Sequence, residues 1–372
     1  MRVLTLFLSS GKSLLSWHKD GILSREILIY RDLLKSGTFD RIQIFSYDAA
    51  DREFLAELAG KTDFYRDIDV LAPDKGKLGG IWGLAGVLKH RARIARSTAL
   101  KTNQVSGAWA AWLAAGISGV PLAFRMGYLL SRRFALNRQK FKAWVAQLVE
   151  SAVARRAARI VVTSEEVATH FRSVPSLARK VVHLPTYVDT SIFEPKVDYD
   201  FGAPAITVAR LRPQKNLAAM IKGCALAGCD LVIVGTGELE QELRELASGL
   251  PISVEFVSQM DNVELAWRLR QHSLFLLTSL HEGLPKALIE AMSVGLVAIG
   301  TPISGITDLI VDGETGYLTE GSDPESIAAA INRARTFADA EVGKRARKVI
   351  AKKFGLERYV AAESAMFAQI SG

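Results

Sequence analysis

At 372 residues, with 49% hydrophobic and 23% charged residues, the chain is too long for one ordinary core and apolar enough for two. That balance excludes a disordered chain, and two cysteines, Cys224 and Cys229, exclude a disulfide framework and read as buried free thiols. The net charge of +8 is uneven: residues 1–195 carry +12 and residues 196–372 carry −4.

Short apolar runs alternate with amphipathic stretches along the chain. Strands are expected at Val3–Leu8, Ile42–Ser46, Ala99–Thr102, Pro121–Phe124, Arg159–Thr163 and Val181–Leu184. The first run follows a single Arg2 and lacks the pattern of a cleavable leader, so no signal peptide is expected. Thr102–Phe124 is uncharged and long enough to span a bilayer. Asn103, Gln104, three glycines and Pro121 within it point instead to a buried helix followed by a parallel strand. One long helix is expected over Ser131–Arg156.

Between Lys75 and Val149 stand 13 Lys/Arg residues and no carboxylate. Such a run is either a solvated basic face or a surface attracted to an anionic partner, a phospholipid layer or a phosphorylated acceptor. No helix-turn-helix, RNP or zinc-finger pattern accompanies it, so nucleic acid is not the expected partner. The membrane surface is favoured, with the protein soluble or peripheral rather than spanning.

The second half repeats the rhythm, with strands expected at Ala205–Ala209, Asp230–Val234, Ser253–Val257, Ser273–Leu277, Val297–Gly300 and Gly316–Thr319, and helices at Leu217–Ala227 and Leu284–Val294. Asp189–Pro204, with Pro195, Gly202, Pro204 and a charged Lys196–Asp200 segment, reads as a linker. The expected class is therefore α/β, two Rossmann-like doubly wound domains of parallel sheet facing a central cleft. Phe354–Ile370 reads as a final amphipathic helix.

The most informative segment is His281-Glu-Gly-Leu-Pro-Lys-Ala-Leu-Ile-Glu-Ala-Met292. Pro285 fits an early helical position in a helix starting near Leu284. The unpaired amides of Gly283, Leu284 and Lys286 would then favour a phosphate. Glu282, before the helix, is placed to reach a sugar. Glu290 can accept two hydrogen bonds from a vicinal diol such as ribose. As a surface charge it would be ill placed, between Ile289 and Ala291 in an apolar helix.

The Glu282-x7-Glu290 spacing resembles the signature of the retaining glycosyltransferase family 4, whose members have the GT-B fold. Val208-Ala-Arg-Leu-Arg-Pro-Gln-Lys-Asn216 resembles the family's strand-end segment with an Arg and a Lys five residues apart. Val234-Gly-Thr-Gly-Glu238 resembles its second-strand glycine turn, with Gly235 and Gly237 near the donor. Tyr187-Val-Asp-Thr-Ser-Ile-Phe-Glu-Pro195 resembles its inter-domain segment, with Tyr187 in place of the usual Gly. Asp312-Gly-Glu-Thr-Gly316 and Ser322-Asp-Pro324 follow in order.

The resemblance implies an N-terminal acceptor-binding domain over 1–195, a C-terminal nucleotide-sugar-binding domain over 196–354, and a helix, 355–372, packing back on the first. It implies that Arg210 and Lys215 stabilise the departing diphosphate, where a fixed guanidinium and an ammonium act most on developing charge. It also implies that Glu290 holds the ribose and Glu282 the transferred sugar, and that Gln259 and Met260 lie in the base-contacting loop. The donor would be a UDP- or GDP-sugar and the acceptor a glycan or lipid-linked intermediate of a cell-surface polysaccharide. The implied transfer retains configuration without a cofactor or metal, in the cytoplasm or at the inner face of the membrane. Same-face displacement and a covalent intermediate on Glu282 both remain open.

The first half departs from the family pattern. A Gly-Gly loop is usual after the first strand, whereas Gly11–Glu26 offers a single Gly21 before a helix expected near Ile22. The usual mid-domain His is replaced by Phe124-Arg-Met-Gly-Tyr128, so Arg125 or Tyr128 is expected to substitute, with His18 in the loop near Gly21 as another candidate. Each has an ordinary alternative: a structural ion pair for Arg125, a solvated surface ring for His18. Lys101-Thr-Asn-Gln104 ends a strand and is either an acceptor site or a plain turn. Gly11-Lys12-Ser13 is no P-loop, since the motif's first glycine would fall on Leu6. Asp67-Ile-Asp69 and Asp198-Tyr-Asp200 match a metal-binding D-x-D by chance, in loop and linker, and no metal site is expected. The readings that compete with transfer are a nucleotide-sugar epimerase and a non-catalytic donor- or glycan-binding subunit.

Overall fold

A computed structural model of the chain describes residues 1–136 and 138–371. It divides into two compact units: Met1–Pro185 with the chain from Tyr359 onward, and Thr186–Arg358.

The first unit is built on β1 (Val3–Phe7), β2 (Arg41–Phe45), β3 (Ile68–Leu71), β4 (Ala99–Thr102), β5 (Leu122–Met126), β6 (Arg159–Val162) and β7 (Val181–His183). They pair in the order β3-β2-β1-β4-β5-β6-β7, with parallel register throughout the described residues. The second unit holds β8 (Ala205–Val208), β9 (Leu231–Val234), β10 (Val254–Val257), β11 (Leu274–Leu277), β12 (Val297–Gly300) and β13 (Tyr317–Leu318), in the parallel order β10-β9-β8-β11-β12-β13. The strand order reverses between β1 and β4 in the first sheet and between β8 and β11 in the second. Ligands of such sheets bind beyond the strands' carboxyl ends at that reversal.

Both faces of the second sheet are covered, which is why β9, β11 and β12 are continuous apolar runs rather than alternating ones. Ile206, Val232, Val234, Phe275, Leu277 and Ala298 pack with the Lys286–Val294 and Ala340–Phe354 helices. The alternate residues Ala205, Leu231, Ile233, Leu274, Leu276 and Val297 pack on the other side with the Leu217–Leu226 and Pro324–Phe337 helices. Each fully buried aliphatic side chain contributes about 1.5–3 kcal/mol. Cys224 and Cys229 are free and buried in the second of these layers.

In the first unit, Leu100, Leu122, Phe124, Ile160 and Val162 face an apolar layer that includes the Ala108–Ser118 helix. The opposite face is different. Lys101 alternates with Leu100, is 1% exposed, and forms an ion pair with Glu363 of the Leu356–Ser371 helix. Its ammonium lies 4.9 Å from the centroid of the Tyr30 ring. Burial pushes the Lys101 pKa down, against the pull of Glu363. Arg125 of β5 donates to Asn103 O at 3.0 Å and to Tyr359 of the same C-terminal helix.

Four elements differ from expectation. The helix expected over Ser131–Arg156 is two, Leu130–Leu136 and Lys140–Arg156, with Arg138 in the left-handed region at φ 57°; Asn137, inside that expected helix, lies outside the described residues. Asp69 of the first D-x-D is in a strand, β3, not a loop, and faces Arg93 at 3.2 Å and Arg41 at 3.5 Å. The Lys286–Val294 helix begins two residues later than expected because Pro285 stays extended at ψ 107° as its N-cap. His18 is on a helix, Leu14–Lys19, rather than in a loop.

Candidate functional site

Two loops leave the second sheet at its reversal point, residues 209–216 after β8 and residues 278–285 after β11. They are stitched together before any ligand is considered. Leu280 N donates to Gln214 O at 2.9 Å, Gln214 Nε2 donates to His281 O at 2.7 Å, and Thr301 Oγ1 donates to Ser279 O at 2.6 Å. Lys215 is held on a 3-10 turn, Pro213–Lys215, closed by Asn216 in the left-handed region at φ 54°.

This bracing brings together two of the residues singled out by sequence. Lys215 Nζ forms an ion pair with Glu282 Oε1, the same oxygen that accepts from Ser279 Oγ at 2.7 Å. Their side chains are 21% and 10% exposed, so the pair is shielded yet reachable from solvent. Such a pair fixes the ammonium within reach of an arriving anion. Arg210, on the same loop as Lys215, is exposed.

Glu290 is 3% exposed and sits in a helix whose residues from Leu288 to Val294 are all buried. A carboxylate in such surroundings is costly unless it has a polar task. At the helix start, Lys286 Nζ lies 4.7 Å from the centroid of the Tyr187 ring, so the tyrosine that replaces the family's usual glycine has a cationic neighbour. Gly283 and Leu284 form the bend before Pro285, outside the helix; among the three residues expected to offer free helix-start amides, only Lys286 lies within it. Met260 packs against the Ile206-containing core, and Gln259 is exposed beside it.

Gly235 has a backbone reason. Its φ is +140°, and a Cβ there would lie 2.0 Å from Ala209 O, so the turn after β9 presses directly on the loop that carries Arg210. A Cβ on Gly237 would lie 2.4 Å from Leu211 O. Sequence reasoning missed a third glycine of this kind. Gly305, at φ +87°, would place a Cβ 2.0 Å from Gly283 O and 3.2 Å from Glu282 O, so it props the Glu282 loop from below. It also missed Ser279 and Gln214. The signal for Ser279 was its place three residues before Glu282; Gly305 offered none in a single sequence.

The first-unit candidates fare otherwise. Arg125 is half-buried and donates to Asn103 O and to Tyr359, two structural hydrogen bonds in place of the ion pair weighed against a catalytic role. Lys101 is inside with Glu363, Thr102 Oγ1 accepts from Arg125 N at 2.8 Å, and Gln104 Oε1 accepts from Gly127 N at 3.3 Å. His18 is exposed, its ring centroid 5.2 Å from that of Phe54. Gly21, at φ +63°, ends the His18 helix as a left-handed cap, with its N–H donating to His18 O at 2.9 Å. Tyr128 is exposed, under Arg133. Among the described residues no group of three or more His, Cys, Asp or Glu is arranged to hold a metal ion.

Residues 201–349 match the family described as glycosyl transferases group 1. An amylovoran biosynthesis glycosyltransferase of Erwinia amylovora is 36% identical over 141 residues, 34% of this chain and 35% of its own. A putative colanic acid biosynthesis glycosyltransferase of Escherichia coli strain K12 is 32% identical over 188 residues, 45% of this chain and 46% of its own. The chain thus aligns with less than half the length of these curated relatives. In fold it is similar over nearly its whole length to Anabaena HepE, solved with UDP and glucose (TM-score 0.73, 18% identity, 98% of this chain and 99% of that one). It is as similar to a sucrose-phosphate synthase from Thermosynechococcus elongatus (TM-score 0.74, 18% identity, 99% of each chain). The fold is GT-B.

Proposed function

From the match of residues 201–349 to the glycosyl transferases group 1 family, we propose that the chain transfers a sugar from a nucleoside-diphosphate donor to a growing cell-surface glycan. The observation that carries the reading is the Lys215–Glu282 pair at the reversal point of the second sheet, with Arg210 exposed on the same loop as Lys215. The relatives named for amylovoran and colanic acid biosynthesis support the polysaccharide acceptor, and the UDP in HepE supports a uridine donor.

In this reading the bond from the sugar's C1 to the diphosphate oxygen breaks while the acceptor hydroxyl attacks C1 on the same face. The electron pair leaves with the diphosphate, and the hydroxyl proton passes to a phosphate oxygen. Arg210 and Lys215 act on the negative charge that grows as the bond breaks, which is where fixed cations lower a barrier most. That assignment leaves no step requiring a metal or an organic cofactor. Glu282 holds the sugar's hydroxyls rather than attacking C1, because a carboxylate already bonded to an ammonium and a hydroxyl is a poor nucleophile. Glu290 holds the ribose. The acceptor is placed in the first unit, lipid-linked, at the cytoplasmic face of the membrane.

The test is transfer of label. Purified protein is incubated with membranes and UDP- or GDP-sugars, and the product is digested to read the anomer. Labelled glycan with retained configuration is expected. Conversion of one nucleotide sugar into another without acceptor would assign an epimerase instead. Donor binding with no turnover on any acceptor would assign a binding subunit.

A further inference from the structure

The Lys140–Arg156 helix has two apolar faces where a surface helix needs one. Val153 and Ala154 are buried in the first unit's core, and Ala146 is buried as well. On the other side Phe141, Trp144, Val145 and Leu148 are 75%, 57%, 39% and 51% exposed. Their i, i+3, i+4, i+7 spacing makes one continuous stripe on the helix surface. Scattered apolar residues on a protein surface are ordinary; an aligned stripe with two large aromatics is not.

The charge around the stripe is of one sign. Arg133, Arg138, Lys140 and Lys142 belong to the same helical hairpin, and the sequence from Lys75 to Val149 has no carboxylate. The next one, Glu150, is turned inward: it accepts from Leu130 N at 2.6 Å, Ser131 N at 3.2 Å and Ser131 Oγ at 2.6 Å, capping the preceding helix. One outside carboxylate, Glu166, reaches the hairpin and pairs with Arg132. A neighbouring helix repeats the pattern, with Ile81, Leu84 and Leu88 exposed on Gly80–Lys89 and Lys75 and Lys77 just before it. Both helices pack on Ala108–Ser118. An open apolar groove of about 280 Å³, lined by Val105, Trp109, Phe134, Phe141, Val145 and Val149, runs beneath the stripe.

We propose that the outer face of the Lys140–Arg156 helix docks on an anionic phospholipid leaflet, inserting Phe141, Trp144, Val145 and Leu148 below the headgroups. Flanking cations meet the lipid phosphates, where the surface potential of an anionic leaflet attracts them. Aromatic and aliphatic side chains on one face with Lys and Arg beside them are what such a helix requires. A second copy of the chain fits worse, since a self-pairing contact sets like charges against each other. Nucleic acid would satisfy the cations and leave the stripe in water. The helix lies on the membrane; among the described residues none is long and apolar enough to cross one. This gives residues to the peripheral association proposed above and rests on none of the donor-site assignments.

Vesicle flotation tests it without donor or acceptor. Wild-type protein should float with vesicles of equal phosphatidylcholine and phosphatidylglycerol, and bind phosphatidylcholine alone at least about tenfold less. The F141S/W144S variant should lose binding by about tenfold or more while keeping its melting temperature and nucleotide affinity. K140E/K142E should lose the preference for the anionic vesicles. In case the serine variant misfolds, brominated lipid should quench wild-type tryptophan fluorescence, and Trp144→Phe should remove most of that quenching. Equal binding by wild type and F141S/W144S, or no binding by wild type, would overturn the proposal. So would a wild-type dimer that F141S/W144S converts to monomer, which would assign the stripe to a second copy.

Discussion

The two sheets share a strand order up to the reversal point and treat charge in opposite ways. In the second, β8, β9, β11 and β12 contain no charged residue, and Arg210, Lys215 and Glu282 lie in the loops beyond their carboxyl ends. In the first, Lys101 and Arg125 lie within β4 and β5, on the face where Glu363 and Tyr359 of the C-terminal helix meet them. A cation near the end of a parallel strand is therefore open to a ligand only when its side chain leaves the sheet. Where the two-residue period turns it into the helix layer, as at Lys101, it becomes part of the core.

The sharpest way to break that comparison is to remove one half of the buried pair. Lys101→Met leaves Glu363 buried beside no cation and should cost about 3–5 kcal/mol of stability, read by chemical denaturation. The double variant K101M/E363L should recover most of it, because an apolar pair of similar volume replaces an ionic one. A loss below about 1 kcal/mol for the single variant would mean that the first unit's charges are not a core feature.

Arginine gives the next contrast. Arg210→Ala should lower kcat by about a hundredfold or more with little change in melting temperature. Arg125→Met should do the reverse, shifting the melting temperature while the folded fraction keeps a kcat within a few-fold of wild type. Gly305→Ala should be milder, about 1–3 kcal/mol of strain, appearing as weaker donor binding because the Glu282 loop must move away from the new Cβ. Smallest is Tyr187→Leu, which removes the ring beside Lys286 and should cost about 0.5–2 kcal/mol of stability.

Much of the second unit was legible because its signals are local. Valine- and leucine-rich runs gave its strands to within a residue or two, and the residues of the site lie in two short segments, 210–216 and 278–290, whose spacing is set by one loop each. The contact between those segments, Lys215 on Glu282, is local to the sheet's reversal point and follows from the strand order. In the first unit the deciding partners are distant in sequence. Nothing near Lys101 announces Glu363, and nothing near Arg125 announces Tyr359, so strand-end position pointed to a site where the fold gives each cation a partner on the C-terminal helix. β3 was missed because a four-residue edge strand with Asp69 in it carries too weak an apolar signal. Pro285 shifted a helix start because it fits the last extended residue as well as the first helical one.

In the proposed function the second unit grips a nucleoside diphosphate through Glu290 and the loops around Lys215. Calorimetric titration of UDP, GDP, ADP and CMP against wild type and Glu290→Ala tests it most directly. Binding of one diphosphate, weakened by about 1.5–3 kcal/mol in the variant, is the predicted result. Binding of none by the folded wild-type protein, or equal affinity in wild type and Glu290→Ala, would contradict it.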